Sequence, residues 1–116
     1  MVVMDKIDSS VEVSLLMVSD VPTLKLVASN PNGIKKIAIW SRWGKVPIIR
    51  NYECLNFIED LISPYPTEWF PIVIDVSDSK TGEISRLGSF NVGGDEAIGI
   101  IETEDTTKPP GSYRQM

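Results

Sequence analysis

Hydrophobic and polar residues alternate at the start of the chain in a way that only extended backbone explains. Val11, Val13, Leu15 and Met17 alternate with Glu12 and Ser14, and Leu24, Leu26 and Ala28 alternate with Lys25. A period of two places every second side chain on one face, so both segments read as half-buried strands. They are joined near Asp20-Val21-Pro22. Asn30-Pro31-Asn32-Gly33 follows, with proline preset for the first inner turn position and glycine free to take positive φ, which predicts a chain reversal. A third strand covers Ile34 to Trp40. Ser41-Arg42-Trp43-Gly44 reads as a tight connection, and Lys45-Val46-Pro47-Ile48-Ile49 as a short extended piece that Pro47 confines to an edge or a bulge. The first half is thus expected to be a β meander.

The period changes at Asn51. At 100° per residue, Cys54, Leu55, Phe57, Ile58, Leu61 and Ile62 fall within an arc of about 160°, opposite Glu53, Asn56, Glu59 and Asp60. Asn51 has N-cap chemistry, Glu53 suits the first turn, and Ser63-Pro64-Tyr65-Pro66 forbids continuation. The spacing predicts an amphipathic helix over 51–63 that packs Leu55, Ile58 and Ile62 on a sheet. Cys54 would then be a packing residue.

Strand patterning returns in Trp69 to Ser77, in Ile84 to Val92 and in Ala97 to Thr103, with turn chemistry at Asp78-Ser79-Lys80-Thr81-Gly82 and at Gly93-Gly94-Asp95. Residues 104–116 hold almost nothing apolar and read as a flexible tail to a single domain of residues 1–103. The expected fold class is α+β, mainly antiparallel, with about seven strands in two meanders and one helix on the sheet or on a partly open barrel. Asn32-Gly33-Ile34-Lys35-Lys36-Ile37 with Trp40, and Ile72-Val73-Ile74-Asp75, resemble middle strands of bacterial immunoglobulin-like repeats. That fold has no place for a helix over 51–63, so the likeness is assigned to ordinary strand chemistry and no family follows from it.

Composition narrows the chemistry. The 116 residues include no histidine and one cysteine, which removes Ser-His-Asp and Cys-His pairings, most zinc geometries and any internal disulfide. Asp75, Asp78 and Glu83 lack the spacing of a calcium loop, since Lys80 stands where the glycine belongs, and they read as a solvated hairpin turn. No cofactor, metal or catalytic group is expected. The amino terminus shows no signal peptide and no apolar run approaches a membrane span, which suggests the cytoplasm.

Charge separates along the sequence. The net charge is −5, yet residues 21–52 hold six bases and no acid. Lys35, Lys36, Arg42, Lys45 and Arg50 surround Trp40 and Trp43, and the turn beside Gly44 makes Trp43 the better candidate for an exposed ring. Cations with a flat ring suit an acidic partner. The expected function is a small non-enzymatic protein-binding module, regulatory, inhibitory or structural. Its site is Lys35, Lys36, Arg42, Trp43, Lys45 and Arg50, and its partner an acidic protein surface. RNA or single-stranded DNA binding through the same segment is the alternative, and a histidine-free enzyme comes third. Ala97-Ile98-Gly99-Ile100-Ile101 carries no charge or proline and, as an edge strand over 97–101, would support a homodimer.

Overall fold

A computed structural model describes residues 9–42, 46–91 and 95–98, the last four through their backbone. Its strands are β1 (Ser10–Val18), β2 (Val21–Trp40), β3 (Ile48–Ile62), β4 (Ile72–Asp78), β5 (Ile84–Phe90) and β6 (Asp95–Ile98). All pairs are antiparallel. The sheet curls into a half-barrel, and among the described residues the only helical piece is a single 3-10 turn at Thr67–Trp69. The α+β class is therefore corrected to all-β.

The expected helix over 51–63 is the larger part of β3. Its apolar positions belong to two faces. Ile58 and Ile62 point into the core, while Leu55, Phe57 and Leu61 are exposed. A strand with apolar residues on both faces produces, over a short window, the i, i+3, i+4 spacing of a helical stripe. Long-range pairing with β2, from Leu24↔Ile62 to Ile39↔Ile48, decides the outcome. Tyr52, Phe57, Ile58 and Ile62 are also side chains that favour extended backbone.

The reversal expected at Asn30-Pro31-Asn32-Gly33 is the second correction. The chain runs on through these residues as one strand of 20 residues. Between the pairs Ser29↔Phe57 and Ile34↔Leu55 four β2 residues stand opposite Asn56 alone, which makes a bulge and a bend. Gly33 adopts φ +93°, and a Cβ there would lie 3.0 Å from the Cys54 carbonyl oxygen. Glycine thus serves a close approach of two strands, with no hairpin.

The bend lets one strand edge change neighbours. β3 follows one edge of β2 along both halves, so β1 and β4 share the other edge. β1 takes the first half, from Ser10↔Ser29 to Val18↔Val21, and β4 the second, from Ile34↔Asp78 to Trp40↔Val73. The gap between them is filled by polar groups. Asn30 Nδ2 donates to Ser9 Oγ at 3.0 Å and to Asp78 Oδ2 at 3.3 Å, and Asn32 Nδ2 donates to the same Asp78 oxygen at 2.9 Å. Asp78 Oδ1 accepts from the Lys80 and Thr81 amides at 2.8 and 3.0 Å. Burial opposes ionisation of Asp78, but the Thr81, Asn32, Lys80 and Asn30 donors outweigh it and bring its pKa down to about 2.

Asp75, Asp78 and Glu83 were expected in a solvated hairpin turn. The turn forms after Asp78, where the Gly82 amide donates to the Asp78 carbonyl at 2.9 Å, and Glu83 is exposed, but both the Asp75 and Asp78 carboxylates are buried. Arg86 donates to Asp75 through Nε at 2.7 Å and Nη2 at 2.8 Å, and Trp40 Nε1 donates to Asp75 Oδ2 at 2.9 Å. This fork is a positioned, bidentate ion pair. The hydrophobic core lies on the opposite face of β4, where Ile72, Ile74 and Val76 meet Ile37, Ile39, Leu26, Leu87 and Phe90. Tyr65 is fully buried at one end of this core, edge-on to Trp69 and Phe70.

Candidate functional site

β3 pairs with β2 and with no other strand among the described residues. Its second edge therefore carries backbone N–H and C=O groups directed away from the sheet. The side chains along it are unusual for an open edge. Phe57 is 60% exposed, Leu61 53% and Leu55 48%, and Ile49 is exposed near the other end. Edges are normally guarded by lysine, proline or charge. Here Cys54-Leu55-Asn56-Phe57-Ile58 contains none of these.

Local chemistry holds the strand in place. Asn56 Nδ2 donates to the carbonyls of Asn30 and Pro31 at 3.1 and 2.8 Å, satisfying acceptors that the bulge would otherwise strand. Between Ile34↔Leu55 and Lys36↔Asn51 three β3 residues, Tyr52, Glu53 and Cys54, oppose Lys35, and Cys54 takes φ +59°. This second irregularity folds β3 so that Asp60 meets its first half. Tyr52 Oη donates to Asp60 Oδ2 at 3.1 Å, and Arg50 Nε lies 3.3 Å from the same oxygen. Burial, together with the Asp60 acceptor and its charge, raises the Tyr52 pKa, against the opposing pull of Arg50. Cys54 is exposed at this bend, in contrast to the packing role expected of it.

The basic segment is distributed by the same register. Lys35 is exposed beside the β3 bend, and Lys36 is half-buried on β2. Arg50 is half-buried on the opposite face from Lys36, because it pairs with Ile37 whereas Lys36 pairs with Asn51. Arg42 is exposed just after β2, and its amide donates to the Trp69 carbonyl at 2.8 Å. Trp43 and Lys45 lie outside the described residues. The absence of acids within residues 21–52 is offset in space: the bend of β3 sets Asp60 beside Arg50, and pairing of β3 with β2 sets Glu59 Oε2 3.1 Å from Lys25 Nζ. Of the 97–101 segment, Ala97 and Ile98 belong to β6, which pairs with β1 at one end of the strand path, and 99–101 lie outside the described residues.

A cavity of about 280 Å³ opens beside the start of β3, lined by Ile39, Ser41, Val46, Ile48, Tyr65 and Trp69. Its lining is mainly apolar, and it has room for one bulky side chain. No group of three or more metal-ligating side chains gathers among the described residues. No helix among them is long and apolar enough to cross a membrane. Comparison with protein-family models, curated proteins and solved structures finds no match. Sequence reasoning missed β3 as a site because it assigned those residues to a helix. The signal was present in the five uncharged residues 54–58, the property used to single out 97–101.

Proposed function

We propose that the chain is a non-enzymatic protein-binding module that takes an extended segment of a partner polypeptide along the open edge of β3. The observation that carries this reading is the pairing of β3 with β2 alone among the described residues, combined with exposed Leu55, Phe57 and Leu61. An added strand satisfies the edge amides and carbonyls, and its alternate side chains lie beside the apolar row as cross-strand neighbours; in such complexes backbone bonds supply affinity and side-chain positions supply specificity. The cavity beside Ile48 would accept one large apolar side chain near the end of the added strand. Lys35 and Lys36, on the neighbouring strand, would meet carboxylates at its rim, which keeps the preference for an acidic partner.

The test is selection from a displayed library of short peptides, followed by hydrogen exchange on the complex. Selected peptides should alternate apolar and polar residues without proline, and should slow exchange of amides within 49–61. Recovery of no binder, or protection confined to other strands, would overturn the reading.

A further inference from the structure

We propose that the strand added to β3 is β3 of a second copy of this chain, paired antiparallel about a two-fold axis through Ile58. This rests on the strand-addition reading and narrows it to one partner. The edge has the character that it would recognise, since β3 is itself extended, with exposed apolar residues at alternate positions and an uncharged stretch at its centre.

Symmetry then limits the register. A two-fold axis normal to a sheet keeps the outward face outward, so an outward residue must oppose another outward residue. Within Leu55–Ile62, beyond the bend, three centres satisfy this rule with several pairs on each side. Centring on Glu59 sets that carboxylate against its own copy, which is unfavourable for like charges directly opposed. A Phe57 centre pairs Phe57 with its own copy but places Leu55 against Glu59 and Leu61 against Glu53, so both leucines lie beside acids, whereas the remaining centre sets only Phe57 there.

The Ile58 centre opposes Leu55 with Leu61, twice by symmetry. Phe57 then meets Glu59 of the other copy, whose carboxylate is already held by Lys25 at 3.1 Å. The Lys25 ammonium of that ion pair also offers a cation to the Phe57 ring. On the inward face Ile58 meets itself, and Asn56 meets Asp60, an amide against a carboxylate. No acid opposes an acid. The two half-barrels become one continuous sheet, and each Leu55 gains an apolar cross-strand neighbour in Leu61 of the other copy, without any change in the fold.

Light scattering across a concentration series, on the full chain, should give twice 12.9 kDa for the wild type. The register is tested by two double variants, one with Leu55→Lys and Leu61→Lys, the other with Leu55→Glu and Leu61→Glu. Each alone sets like charges opposite one another at two symmetric places and should weaken association by about tenfold or more. Their equimolar mixture should return to the dimer mass. Exchange of amides 55–61 in the wild type should also slow as concentration rises, a readout independent of how the variants fold.

A wild type that stays at 12.9 kDa overturns the proposal, as do variants that remain dimeric or a mixture that remains monomeric. If the wild type is monomeric while selected peptides still protect 49–61, the second copy is eliminated and strand addition stands. If neither the chain itself nor any peptide protects this edge, both readings fail.

Discussion

β4 and β3 both lie against β2, and they share almost nothing else. β4 is paired along both edges, by β2 and β5, and all seven of its residues are buried. β3 is paired along one edge among the described residues, and only Ile58 and Ile62 of its fifteen residues are buried. Chemical character does not account for the contrast. Asp75 of β4 is 6% exposed whereas Phe57 of β3 is 60% exposed. Position in the sheet decides, and each strand's residues serve the place it occupies. In β4 the buried carboxylates have fixed donors, so the strand is sealed. In β3 the apolar residues have no cover within the described fold, so the strand is available.

The strongest test of β4 as the sealed member is Asp75→Ala. The substitution leaves the fully buried Arg86 guanidinium without its bidentate acceptor and removes the acceptor of Trp40 Nε1. Removing one partner of a buried ion pair costs about 3–5 kcal/mol, because the other charge stays desolvated. Urea unfolding should show a loss of this size. A loss below about 1 kcal/mol would mean that water reaches Arg86, and the contrast between the two strands would weaken.

Asp78 gives the next largest effect and carries a pH signature. Its pKa of about 2 in the folded chain lies below the ordinary 3.8, so the folded state binds this proton less readily than the unfolded state does. The resulting stabilisation is fully present above about pH 5 and disappears as pH falls through 3.8 and then 2. At neutral pH, Asp78→Ala should cost about 2–3 kcal/mol through the loss of charge-assisted hydrogen bonds at the corner. Asp78→Asn should flatten the fall in unfolding free energy between about pH 5 and pH 2. An unchanged acid limb would show that other carboxylates dominate it.

Half of this contrast was legible in the sequence. The alternation of Val11, Val13 and Leu15 with Glu12 and Ser14 matches β1, and Ile72, Ile74 and Val76 do face the core, because each of these strands has one consistently apolar face. Residues 51–63 defeated the same reasoning. Periodicity reports faces only when one is apolar and the other polar, and β3 mixes apolar and polar residues on both. Asn30-Pro31-Asn32-Gly33 carries real turn chemistry, but whether four such residues reverse a chain or bulge it depends on Asn56 and Cys54, about two dozen positions away. The basic block could not be resolved from sequence either, since Asp60 reaches Arg50 only through the bend of β3 and Glu59 reaches Lys25 only through the β2–β3 register. The bent β3 was legible only as an uncharged run, and that signal points to a site only once the strand is known to be an edge.

The smallest expected effect on stability is also the one that speaks for function. Phe57→Ser removes a ring that is 60% exposed and leaves the inward pair Ile58 and Ile62 untouched. Exposed strand substitutions of this kind cost at most about 1 kcal/mol, mostly through strand preference. The unfolding midpoint should therefore move little, while binding of selected peptides and self-association should both weaken by about tenfold, as expected for a central aromatic anchor of an interface. Measured side by side, unfolding and association separate the two kinds of strand, because Asp75→Ala should change the first and Phe57→Ser the second. Should Phe57→Ser instead unfold the chain as Asp75→Ala does, Phe57 is part of the packed structure in solution and β3 is no more open than β4. Should it change neither property, the apolar row on β3 is not the binding surface.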